Sequence, residues 1–76
     1  MHKPKKFIKI QYFRKVYDIS GEEMAKVIGK SWSAYCAKER GESQFTLDEF
    51  LEILNTINKL REKDGLSKLT AADLLP

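Results

Sequence analysis

The sequence predicts a small all-α domain, a bundle of four or five short helices around one core. Three observations lead there. Apolar residues recur at helical steps, as Phe7, Ile10, Phe13 and Tyr17 in one stretch and Leu47, Phe50, Leu51, Leu54, Ile57 and Leu60 in another. Nowhere does strict apolar–polar alternation last for the length of a strand. Helix start and stop signals also follow one another in a consistent order along the chain.

The elements follow in turn. The first apolar stretch predicts a helix near 5–17. Ser20 has Glu23 three residues on and is flanked by Ile19 and Met24, the pattern of a capping box with its hydrophobic staple. It opens a helix over 21–28, and Gly29 follows Lys26-Val27-Ile28 as its stop. Ser31 suits the N-cap of a helix over 32–40, which Gly41 closes. Thr46 with Glu49, stapled by Phe45 and Phe50, opens a long helix over 47–63 that ends before Gly65. Thr70 with Asp73, stapled by Leu69 and Leu74, opens a last short helix over 71–75, with 66–70 extended or turning. Each of these glycines stands where a left-handed C-terminal cap is needed, with basic residues in the turn before it. Proline occurs only at positions 4 and 76, outside any helix interior.

The 76 residues form a single expected domain, 1–76. An apolar share of 42% with 33% charged residues suits a folded globule. No apolar run approaches a membrane span. Phe7-Ile8 is followed at once by Lys9, too short a stretch for a secretory signal. Cys36 is the lone cysteine. It offers neither a disulfide nor a metal cluster, and this favours a reducing, cytoplasmic setting. The net charge of +3 and pI near 9.1 weakly favour an anionic partner. The distribution is more informative. From Met1 to Ser20 the positives are Lys3, Lys5, Lys6, Lys9, Arg14 and Lys15 against Asp18 alone. From Gly41 to Leu60 the balance reverses, with Glu42, Asp48, Glu49 and Glu52 against Lys59.

Nothing in the chain reads as catalytic machinery. Glu22 with Glu23, and Asp48 with Glu49, sit in first turns, where carboxylates complement the helix dipole. Cys36 has no histidine near it in sequence, the only one being His2. No phosphate loop, metal-ligand spacing or nucleophile constellation occurs. The expectation is a protein that is not an enzyme and takes no cofactor, metal or small-molecule substrate.

Ser20 to Gly41 is the informative stretch. It holds a short capped helix, a turn at Gly29 and a second short capped helix. Only Lys30 and Ser31 separate Gly29 from Trp32, so the two helices must cross steeply. Ala25 then lets the second pack close against the first, with Met24, Ile28 and Tyr35 beneath.

Here the chain resembles the phage-repressor type of helix-turn-helix, the Cro-like or Xre-like family. The matching residues are Phe13-Arg14, Ile19-Ser20, Glu22-Glu23-Met24-Ala25, Ile28-Gly29, Ser31 with Ser33, Tyr35, and Glu39-Arg40-Gly41. Phe45-Thr46-Leu47 and the helix after them are similar to the family's fourth helix, so the resemblance spans roughly 10–57. It implies a lambda-repressor-like DNA-binding domain, a transcriptional regulator of phage or mobile-element type that binds double-stranded DNA. The helix 32–40 would enter the major groove. The implied base-facing residues are Trp32, Ser33, Cys36 and Ala37, with Gly21 from the preceding helix. The implied backbone contacts are the amide end at Gly21-Glu22 and Ser31, with Lys26, Lys38, Arg40 and Ser43. A basic N-terminal arm over 1–9, with Lys5 and Lys6, either lies on DNA or is a solvated tail.

Trp32, Cys36 and Ala37 lack the paired donors and acceptors that read bases. Trp32 has three readings: a wedge facing DNA, a core residue or a partner contact. A second function is therefore carried alongside the first, a protein-interaction module on a helix-turn-helix scaffold, of antirepressor or accessory type. A positive stripe around Lys26, Lys38 and Arg40 would favour the first; an apolar patch centred on Trp32 would favour the second. Lys30 and Lys38 fall where the family buries an aliphatic residue, and each can lay its stem over the core. The segment 66–76 either covers the core or pairs with a second copy through Leu66, Leu69, Leu74 and Leu75.

Overall fold

The structure, a computed structural model, describes residues 6–76. The expected contact at Lys5 lies outside the described residues. Four α-helices form the bundle: α1 Ile8–Val16, α2 Gly21–Val27, α3 Trp32–Glu39 and α4 Leu47–Lys63. A single 3-10 turn, Ala71–Asp73, stands where a fifth helix was expected. No strand occurs among the described residues, and no helix there is long and apolar enough to cross a membrane.

The starts are where the caps place them. Ser20 and Thr46 each complete a capping box, with Glu23 and Glu49 respectively. The Ser31 hydroxyl accepts from the Ala34 amide at 3.1 Å. At Thr70 the Asp73 carboxylate accepts from both the backbone N–H, at 2.7 Å, and the hydroxyl, at 3.1 Å. The first helix begins at Ile8, three residues later than predicted, with Phe7 as an N-cap that supplies no side-chain bond.

All four helices end the same way. The second residue after each C-cap returns its amide to a carbonyl in the last turn: Ile19 to Arg14, Lys30 to Ala25, Glu42 to Ala37 and Leu66 to Arg61, at 2.8–2.9 Å. This bond needs a left-handed residue just before it. Gly29, Gly41 and Gly65 supply it with φ of 69°, 82° and 74°. In α1 the residue is Asp18, at φ 55°.

The core is Ile10, Ile19, Met24, Ala25, Ile28, Tyr35, Phe50, Ile53, Leu54, Ile57 and Leu74. Leu47 and Leu51 leave the expected α4 stripe, at 72% and 40% exposure, while Ile53 is fully buried in their stead. The buried face of α4 centres on Ile53 and Ile57, and Leu47 sits in the first turn, beyond the helices that cover it. Among the helices, α2 packs most extensively on α3 and next on α4, while α1 lies against α3. Beyond α4 the chain returns across the helix. Asn58 pairs with both backbone groups of Leu69, at 3.0 and 2.7 Å, and Arg61 Nε donates to the Ser67 carbonyl at 2.9 Å. Leu74 is thereby fully buried and Leu69 packs on the core, which is the covering role; Leu66 and Leu75 stay about half exposed.

Candidate nucleic-acid interface

α3 is held from its inner side by a polar cluster. Arg14 of α1 makes a two-pronged contact with Glu39, Nε to Oε2 at 3.1 Å and Nη2 to Oε1 at 3.2 Å. Its Nη1 donates to the Ile19 carbonyl at 3.2 Å. The Tyr35 hydroxyl, one helical turn before Glu39, donates to Oε2 at 2.5 Å. The Glu39 carbonyl also accepts from the Phe7 amide at 2.9 Å, so both ends of α1 are tied to α3. Burial holds the Tyr35 hydroxyl protonated far above the ordinary tyrosine range, and its bond to the Glu39 carboxylate adds to this. Burial disfavours the Arg14 charge, but the Glu39 carboxylate outweighs it and raises the pKa.

A second polar contact joins α3 to α4. Lys38 Nζ donates to Glu49 Oε1 at 2.8 Å and to the Gln44 carbonyl at 2.9 Å. Lys38 was expected on the DNA backbone, and the structure corrects this: the residue is buried, at 8% exposure, and its charge is spent inside the fold. The cause lies in Glu49, whose capping-box carboxylate also accepts from the Thr46 amide at 2.9 Å and offers Lys38 a partner. Burial alone would push the Glu49 carboxyl up; the Lys38 and Thr46 bonds win and lower it.

With its inner face so engaged, α3 presents the other. Trp32 is 56% exposed, Ser33 is exposed, and Cys36 and Ala37 are half-buried. Positions i, i+1, i+4 and i+5 share one side of a helix, and Arg40 continues the row. Trp32 is not a core residue. Its indole lies along Gly21: a Cβ there would meet Nε1 at 2.9 Å. Gly21 and Trp32 therefore join the first turns of α2 and α3 into one surface, and this is what the absent side chain at Gly21 permits.

The charges around that surface are largely used. Arg40 is exposed but bonds Glu42, Nε to Oε2 at 2.6 Å and Nη2 to Oε1 at 3.3 Å. Glu42 raises the Arg40 pKa, and Arg40 lowers that of Glu42. Lys6, exposed, adds weakly to the lowering of the Glu42 carboxyl. Lys26 is exposed but borders a groove shared with Lys59 and Lys63 on α4. Glu22, Ser31 and Ser43 are exposed, and Ser43 directs its amide to the Ala37 carbonyl at 3.3 Å. The expected stripe through Lys26, Lys38 and Arg40 is therefore not assembled. Lys30, outside the expected set, is half exposed in the turn between α2 and α3, 4.0 Å from Glu49. The Tyr35–Glu39 spacing of four residues, one helical turn, was the sequence signal for the polar cluster. Nothing local in the sequence pairs Lys38 with Glu49. Compared with protein-family profiles, with curated proteins and with solved structures, the chain matches none.

Proposed function

We propose that this domain binds duplex DNA with α3 in the major groove, as a transcriptional regulator of phage or mobile-element type. The observation that carries this reading is the division of α3 into two faces. Its inner face is clamped by Arg14, Tyr35, Glu39 and Lys38, and its outer face, Trp32 to Arg40, is open to a partner. A rigidly held helix with small side chains at Ser33, Cys36 and Ala37 can bring its backbone close to a groove floor. Phosphates would be met by Lys30, Arg40, Lys6 and the hydroxyls of Ser33 and Ser43. Apolar contact with thymine methyls from Trp32, Cys36 and Ala37 discriminates bases weakly, so backbone contact and DNA shape dominate.

The exposure of Trp32, together with the neutralised Lys38 and Arg40, favours a second reading, a protein partner gripped at Trp32. One titration separates the two. Anisotropy of labelled mixed-sequence duplex is followed at low and physiological salt. Binding whose logarithm falls with log salt, by about 0.9 per phosphate neutralised, supports the DNA reading. Absence of binding at low salt refutes it and leaves the protein partner.

A further inference from the structure

A groove runs between the C-terminal halves of α2 and α4, with a volume of about 530 Å³. Ile19, Val27 and Leu60 give it an apolar floor, and Lys26, Lys59 and Lys63 stand around it. Among the described residues the ion pairs engage Arg14, Lys30, Lys38, Arg40 and Lys68. None takes up the three lysines of the groove. The one carboxylate there, Glu23, is turned to the Ser20 amide at 3.3 Å as part of the cap. This chain thus pairs Lys30, Lys38 and Arg40 near α3 with carboxylates and leaves three lysines together, without an ion pair, beside an apolar channel.

We infer that this groove docks an acidic amphipathic helix of a partner protein, its aliphatic side chains on Val27 and Leu60 and its carboxylates on Lys26, Lys59 and Lys63. Helix-in-groove binding takes its affinity from apolar anchors a turn apart. Complementary charge sets register and rejects other partners. Phosphates fit less well, because a sugar–phosphate chain gains nothing from burying Ile19, Val27 and Leu60. No residue of α3 lines the groove, so occupancy leaves the outer face of α3 free. A partner could then be held while α3 is engaged, and the inference stands whether or not α3 binds DNA.

The test is selection of displayed random peptides on the whole domain, followed by titration of enriched peptides into isotope-labelled protein. The expected winners carry an aliphatic pair one turn apart among Asp and Glu, and shift the amides of Val27, Lys59, Leu60 and Lys63. Lys59→Glu with Lys63→Glu should weaken them at least about tenfold, with only a small fall in the thermal midpoint, since both lysines are exposed and Lys63 gives up its favourable place in the last turn of α4. Lys59→Gln serves as the milder variant if the double reversal unfolds the domain. Failure to enrich, winners without acidic residues, shifts confined to other surfaces, or duplex DNA perturbing these same amides would each overturn the proposal.

Discussion

Gly21 and Trp32 are matched in shape: the indole Nε1 lies 2.9 Å from where a Cβ on Gly21 would stand. The contact joins the first residue of α2 to the first residue of α3. Gly21→Ala should displace the indole, which is free to swing because most of its outer side meets solvent. Helix propensity favours alanine, by less than the roughly 1 kcal/mol of a helix interior because Gly21 is the first residue of α2, and offsets part of the lost packing. The expected result is a red shift in tryptophan emission with a nearly unchanged denaturation midpoint. An unshifted spectrum would mean that the ring does not rest on Gly21.

The Arg14–Glu39–Tyr35 cluster should matter far more for stability. Glu39→Ala leaves a part-buried guanidinium with only its Ile19 bond and a buried hydroxyl without its acceptor, and is expected to lose about 2–3 kcal/mol. Tyr35→Phe, which keeps the ring and the Arg14 contact, should lose about 1 kcal/mol. Urea denaturation of both variants checks the order. Equal losses would show that the hydroxyl, and not the ion pair, holds α3.

Among the described residues Asp18 is the one helix terminator in the left-handed region that is not glycine. Asp18→Gly should remove steric strain and raise stability by about 0.5–1 kcal/mol, less whatever the added chain entropy of glycine takes back. A thermal melt that moves downward would refute this.

Two pH limits follow from the carboxylates and the tyrosine whose titration the fold shifts. The Glu49 carboxyl is lowered from its ordinary 4.5, so its contribution is whole above that value and is lost as pH falls through the lower folded value. Asp73, lowered by its bonds to Thr70, acts in the same direction below 3.8. Glu49→Gln should therefore flatten part of the acid limb of a stability–pH curve. Tyr35 is raised, so its contribution is whole below 10 and declines as pH climbs above it. Tyr35→Phe should remove that alkaline decline.

If α3 meets DNA as proposed, Lys38 and Arg40 should behave differently despite lying two residues apart. Arg40→Ala should weaken binding and reduce the salt slope by roughly 0.9. Glu42→Gln, which frees Arg40 from its partner, should strengthen binding a few-fold. Lys38→Met should lower stability and leave the salt slope of the folded fraction unchanged, because its ammonium never reaches solvent phosphates. A slope lost with Lys38 would return it to the interface.

What the sequence determined by itself was local. Caps at Ser20, Ser31 and Thr46 and stops at Gly29, Gly41 and Gly65 act within a few residues of their own backbone, so element type and order were legible before any tertiary contact was known. The row Trp32, Ser33, Cys36 and Ala37 was named through the family resemblance, and helical periodicity then puts these residues on one side of α3. The tertiary structure decided everything that depends on which residue meets which across the bundle. It turned Lys38 inward to Glu49, eleven residues away, exposed Leu47 and Leu51, reduced the fifth helix to one turn under Asn58, and gathered Lys26 with Lys59 and Lys63. The physical reason is that hydrogen bonds at a helix end are made with near neighbours in the chain. The fate of a charge or an apolar side chain depends on burial, and burial is set only when the helices pack.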